Sequence, residues 1–247
     1  PYIRGTWAES FTEFAQVYND DDTPRHTYTR THQAPTANKK VRAVCTACNN
    51  GWMNNRIEGR ARPYLTPLIE GRPVTLFPEA VSAIVDWAVL KTIVSEHMHR
   101  DEYSTPRAEC IAFKESGVIP PYFRVHLAYN NDRAWGGTYY RHSANLRRSD
   151  QSAATHNAPR SIQVVSLGVG ALFINVISSG YIDPEEVFVH NDEGLFPAVL
   201  PFPRSELRWP PLRPLTPVEL ERIAEALPKL FKEDPRIKRG NPPNPSG

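Results

Sequence analysis

The strongest constraint on how this 247-residue chain can fold is a change of period along it. Between 79 and 100, Val81, Ile84, Val85, Ala88, Val89, Thr92 and Ile93 recur at spacings of three and four, the mark of one helical face. Trp87, Leu90 and Val94 widen that stripe, so the helix is expected to be largely buried. From Tyr122 the period drops to two: Phe123, Val125, Leu127 and Tyr129 alternate with Arg124, His126 and Ala128. Further strands are predicted at 136–140, 161–167, 170–177 and 187–190, and the short links between them suit an antiparallel sheet. A long helix followed by such a run of strands makes the chain α+β.

The flanks are shorter pieces. Residues 7–18 place Trp7, Phe11, Phe14, Ala15 and Tyr18 on one side of a helix. Asp20 to Pro24 end it in a solvated loop, and the Thr/Tyr-rich stretch 25–31 alternates as a strand does. A second short strand is predicted at 41–44. Thr105-Pro106 is a helix-start signal, with a short helix expected to 114. The polar stretch 146–159 reads as a mobile loop. Residues 195–214 form an extended arm rich in Pro, and the excess among the chain's 24 Pro sits mainly from Pro197 onward. Thr216 and Glu219 are three apart, as in a capping box, and open a helix expected to run to 231. The charged, Pro-rich residues 232–247 are expected to be disordered.

A different kind of feature lies at Val44-Cys45-Thr46-Ala47-Cys48-Asn49-Asn50-Gly51-Trp52-Met53. Two cysteines two residues apart on a tight turn can grip one side of a tetrahedral zinc ion, which then needs about two more ligands. The plainer reading is two small thiols with no metal. Strand, knuckle and following helix, the last carrying Trp52, Ile57 and Ala61, form the core of a treble-clef zinc finger. Asn49 or Asn50 can cap that helix, and Pro63 and Pro67 are expected to interrupt it. The organisation that results is a small zinc module at 1–75, an α+β domain at 76–231, and the tail at 232–247.

The bulk properties narrow the setting. A formal net charge of +2 permits a nucleic-acid partner without requiring one. Three cysteines make no disulfide framework, which points to a reducing, cytoplasmic compartment. The longest nearly apolar run, 167–177, falls short of the ~20 residues that span a bilayer, so no membrane partner is expected.

The motif C-x-x-C-N-N-G-W-M, followed by Pro63-Tyr64-Leu65-Thr66-Pro67-Leu68-Ile69-Glu70-Gly71, resembles a family of bacterial and phage proteins labelled HNH endonucleases. The likeness continues at Asp86-Trp87-Ala88 and Lys91-Thr92, and returns at Arg208-Trp209-Pro210-Pro211. It implies a ββα-metal nuclease. Two cysteine pairs hold a structural Zn²⁺, a His activates the attacking water, and Mg²⁺ or Mn²⁺ polarises a phosphodiester of nucleic acid, DNA before RNA. The first cysteine pair and a Glu-His or Asp-His dyad lie upstream of the knuckle in that family, and no such motif precedes Cys45 here. A Pro commonly follows the dyad at short distance. Pro1 fits that place, and both motifs would then lie ahead of it.

The resemblance also assigns roles to single residues. Asn49 stands where related nucleases carry a His that helps hold the catalytic metal, and its amide oxygen can ligate a hard cation. Lys40 stands where the motif's middle Asn is usual. If zinc finds its ligands within this chain, His26 and His32 complete the set with Cys45 and Cys48, as H-x₅-H-x₁₂-C-x₂-C. The alternative places both His on the surface. Lys39, Lys40 and Arg42 before the knuckle, and Arg56, Arg60 and Arg62 after it, are candidate phosphate contacts. A solvated face is the competing reading. A non-catalytic zinc-finger binding or scaffold protein is the alternative function.

Overall fold

In a computed structural model the protein is described over residues 11–18, 24–32, 44–97, 104–132, 134–145, 161–179 and 206–226, the first two segments as backbone. It is α+β, as the periods imply. An N-terminal hairpin pairs β1 (Phe11–Tyr18) with β2 (Pro24–His32). The knuckle follows, as α1 (Thr46–Cys48), a widely wound stretch Asn49–Glu58, and α2 (Gly59–Ile69). Then come β3 (Val74–Leu76), the long α3 (Pro78–Glu96) and α4 (Arg107–Ser116). Four strands, β4 (Phe123–Tyr129), β5 (Tyr139–Asn145), β6 (Ser161–Val169) and β7 (Leu172–Ser179), form one antiparallel sheet in the order β4-β7-β6-β5. β8 (Leu207–Trp209) returns to pair with β3, and α5 (Pro217–Ala224) closes the described chain.

The sheet is covered on both faces. Register places Leu127, Ile174 and Leu167 in one row across it and Val125, Val176 and Val165 in the next. These rows share a core with Val81, Ile84, Val85, Ala88 and Val89 of α3. On the opposite face Ala128 and Phe173 meet Leu220, Ile223 and Ala224 of α5, with Trp135 and Leu215. β7 is central and buried at every position. That is why Leu172–Ile177 reads as an apolar run broken only at Asn175, and not as an alternation.

α3 ends on a buried polar clasp. The Glu96 carboxylate accepts the backbone N–H groups of Ser104 and Thr105, both at 2.9 Å, the Thr105 hydroxyl at 2.6 Å and Gln163 Nε2 at 2.5 Å. The charge is removed from water but fully provided with donors, the condition under which a buried carboxylate is tolerated. A second joint lies at the β6–β7 turn. Ala171 N–H bonds the Ile69 carbonyl at 2.8 Å. Gly170 there has φ +57°, and a Cβ on it would stand 2.3 Å from the same carbonyl oxygen. Only glycine fits both demands.

Several expectations are corrected. Residues 11–18 form a strand, not part of a helix at 7–18, because pairing with β2 supplies a ladder that overrides a weak local pattern. α2 runs through Pro63 and Pro67. Burial of Ala61, Leu65 and Leu68 offsets a cost of about 3 kcal/mol for a helix-interior proline. The strand expected at 136–140 is shifted to Tyr139–Asn145. Gly136 lies in a turn whose carbonyl takes the Gly170 N–H at 2.8 Å, and the polar 141–145 pairs with β6 through its backbone. Part of the extended arm is strand β8. The cap of α5 is as expected, with Thr216 and Glu219 satisfying each other's backbone N–H groups. Residues 41–43, 146–159 and 187–190, and the tail, lie outside the described residues.

Candidate functional site

The knuckle begins with Cys45, which is extended (φ −71°, ψ 156°) and caps α1 with its own side chain. Its Sγ accepts the backbone N–H of Cys48 at 3.4 Å. The cap therefore belongs to a sulfur, and not to Asn49 or Asn50. Cys45 is exposed and Cys48 half-buried. The Cys48 N–H beside the Cys45 sulfur lowers its pKa from the ordinary thiol value, because a donor favours the thiolate. Cys110 is the contrast: burial, reinforced by the negative charges of Glu96 and Glu109, pushes its thiol up to about 11.

After Cys48 the backbone widens. Gly51 leaves helical geometry (φ −88°, ψ −111°), and the following turns are π-type, with Gly59 N–H reaching back five residues to the Asn54 carbonyl. Wide turns of this kind recur at functional sites. Asn49 donates from Nδ2 to Asn50 Oδ1 at 3.3 Å, and Asn54 does the same to Asn55 at 3.2 Å. The Asn49 amide oxygen, the atom a cation would take, is not used in its contact with Asn50. The inner side of the segment is apolar: Met53 and Ile57 enter the core, and Trp52 meets Phe113 of α4 edge to face, 6.3 Å between ring centres.

The basic residues of the segment are tied inward. Arg60 Nη2 reaches Asp86 Oδ2 of α3 at 2.6 Å. Burial raises the Asp86 pKa while Arg60 opposes that rise. Arg56 Nη1 donates to the Lys114 carbonyl at the end of α4 at 3.1 Å, a cation at a helix C-terminus. Glu58 is bonded by Lys91 of α3 at 2.5 Å, and Lys91 Nζ lies 5.7 Å from the centre of the Trp87 ring. Arg62 is exposed. Asp86 and Lys91 of α3, both quoted above for the family resemblance, thus face the knuckle helix and hold it, with Trp87 beside Lys91. Sequence reading missed these partners because each lies 26 or more residues away from the side chain it engages.

The two candidate histidines are held apart from each other along β2. His26 stands opposite Val17, and His32 opposite Phe11, towards the two ends of β2. Six residues of extended strand separate their Cα atoms by about 20 Å, too far for both imidazoles to meet one ion. At most one can join Cys45 and Cys48. Lys39, Lys40 and Arg42 lie outside the described residues. Among the described residues no group of three His, Cys, Asp or Glu side chains is placed to hold a metal, and no helix is long and apolar enough to cross a membrane.

The fold and this segment define a mixed helix and antiparallel-sheet protein with a solvent-facing C-x-x-C turn braced by α3 and α4. No family model, curated protein or solved structure matches the chain.

Proposed function

We propose that this protein is an HNH-type endonuclease, or a portion of one, in which Cys45 and Cys48 are two ligands of a structural zinc. It would hydrolyse phosphodiester bonds of DNA with a divalent Mg²⁺ or Mn²⁺. The observation that carries the reading is the placement of Cys45. Its sulfur faces solvent at the head of the helix, takes a backbone N–H that favours the thiolate, and stands three residues before a second thiol. Metal binding requires deprotonated sulfur, so this arrangement lowers the cost of loading zinc. The motif carrying the resemblance supplies the nuclease part. Zinc supplies no step of hydrolysis there; it fixes the turn from which Asn49 projects.

A second reading has its own support. Arg56 and Arg60 are engaged within the fold, which favours a zinc-bearing binding or scaffold protein without cleavage. Two measurements separate the readings: metal content of the purified full-length protein, and nicking of supercoiled plasmid with Mg²⁺ or Mn²⁺. Zinc near one per chain with nicking lost in Asn49→Ala supports the nuclease. Zinc without nicking leaves the scaffold reading, and absence of zinc overturns both.

A further inference from the structure

Cys45 and Cys48 differ in access, and that difference assigns them different parts in thiol chemistry. Cys45 is exposed, with its sulfur 3.4 Å from the backbone nitrogen of Cys48. The Cys48 sulfur is joined to that same nitrogen through only two carbons, so the two sulfurs share one turn of the chain. Cys48 is half-buried against the core that holds Trp52 and Phe113, and a bulky disulfide reaches it less easily. The third cysteine, Cys110, is also half-buried, and its sulfur donates to the Thr105 carbonyl at 3.8 Å.

We propose that Cys45 is a site of S-thiolation by low-molecular-weight disulfides, with Cys48 as the resolving thiol, so that oxidation closes the C-x-x-C turn into a disulfide. In the first step the Cys45 thiolate attacks one sulfur of glutathione disulfide. That S–S bond breaks, a Cys45–glutathione bond forms, and one glutathione thiolate leaves and takes a proton from water. Cys48 then gives its proton to solvent and attacks the Cys45 sulfur, expelling the second glutathione. Two protein thiols are oxidised and one glutathione disulfide is reduced to two thiols. The inference deepens the zinc reading and rests on it only for its consequence: both sulfurs of the closed disulfide are lost as ligands, and the zinc leaves.

The test uses the full chain as purified, with glutathione disulfide as probe, intact-mass and peptide-mapping readouts, and a colorimetric zinc chelator in solution. The wild type is expected to lose two hydrogens at Cys45 and Cys48 and to release its zinc in step. Cys48→Ser is expected to accumulate one glutathione adduct on Cys45. Cys45→Ser is expected to react at Cys48 at least about tenfold more slowly, as the difference in access requires. Cys110→Ser should behave as wild type. Equal rates at the two positions, first attack at Cys48, or a zinc-loaded chain that stays reduced would overturn the proposal. If no zinc is present yet the disulfide forms in this order, the zinc reading fails and this one stands.

Discussion

Glu96 at the end of α3 and Gln163 near the start of β6 are 67 residues apart in sequence and share a buried hydrogen bond of 2.5 Å. The same carboxylate holds Ser104 and Thr105, so one side chain joins the long helix, the segment leading into α4 and the sheet. Glu96→Ala leaves two backbone N–H groups and an amide without an acceptor. At about 1–3 kcal/mol for each stranded group, partly relieved by entering water, the loss should be about 3 kcal/mol or more. Urea unfolding measures it. Glu96→Gln keeps one acceptor oxygen and should cost clearly less; equal losses would mean that burial and not the hydrogen bonds matters there.

The β6–β7 turn gives an independent test of how the sheet is seated. Gly170→Ala adds a Cβ 2.3 Å from the Ile69 carbonyl oxygen at a left-handed φ. The turn must move off α2, with an expected cost of about 1–3 kcal/mol. Gly117→Ala carries the same kind of φ, +72°, with open space around the added atom. It should cost only the backbone term, about 1 kcal/mol. The difference between the two variants in denaturant midpoint reads the contact alone.

His142 makes the protein sensitive to acid. Burial, with the Arg141 charge beside it, pushes its pKa from an ordinary 6.5 to about 4. The unfolded chain therefore binds a proton that the folded chain refuses. Stability from this group is complete above pH 6.5 and declines as pH falls towards 4, by about 3 kcal/mol in total. His142→Phe should flatten that part of the profile, measured as urea midpoints at about pH 7 and about pH 4.5. A wild-type profile already flat across this window would contradict the assignment.

Arg60 and Arg62 separate fold from ligand. Arg60 is paired with Asp86 and should affect stability by about 0.5–1 kcal/mol when changed to Ala, since the pair is partly exposed. Under the proposed function, Arg62→Ala should weaken duplex DNA binding and lower the salt slope by about one, while Arg60→Ala should leave the slope unchanged. Fluorescence anisotropy across a salt series distinguishes them.

Legibility in the sequence followed the range of the interaction. α3, β4, β6 and β7 announce themselves because burial repeats along the segment itself, and the cap of α5 does so because Thr216 and Glu219 are near neighbours. The hairpin β1–β2 was half-read: the Thr-rich partner was plain, but Phe11 to Tyr18 carries a spacing that suits either state until the partner strand is known. β5 hides because an edge strand can be polar on both sides and still be held by its backbone. At the knuckle the C-x-x-C turn was visible. Its bracing by Asp86, Lys91 and the Lys114 carbonyl was not, since no local pattern encodes a contact made across 26 to 58 residues. The internal partners of Arg56 and Arg60 were out of sight for the same reason.

The pairing of β3 with β8 joins residues 74–76 to residues 207–209. More than half the chain must be synthesised between the two halves of that three-residue ladder, and the search for such a distant mate is slow. On the ribosome, β3 must wait with its ladder open until the late strand emerges.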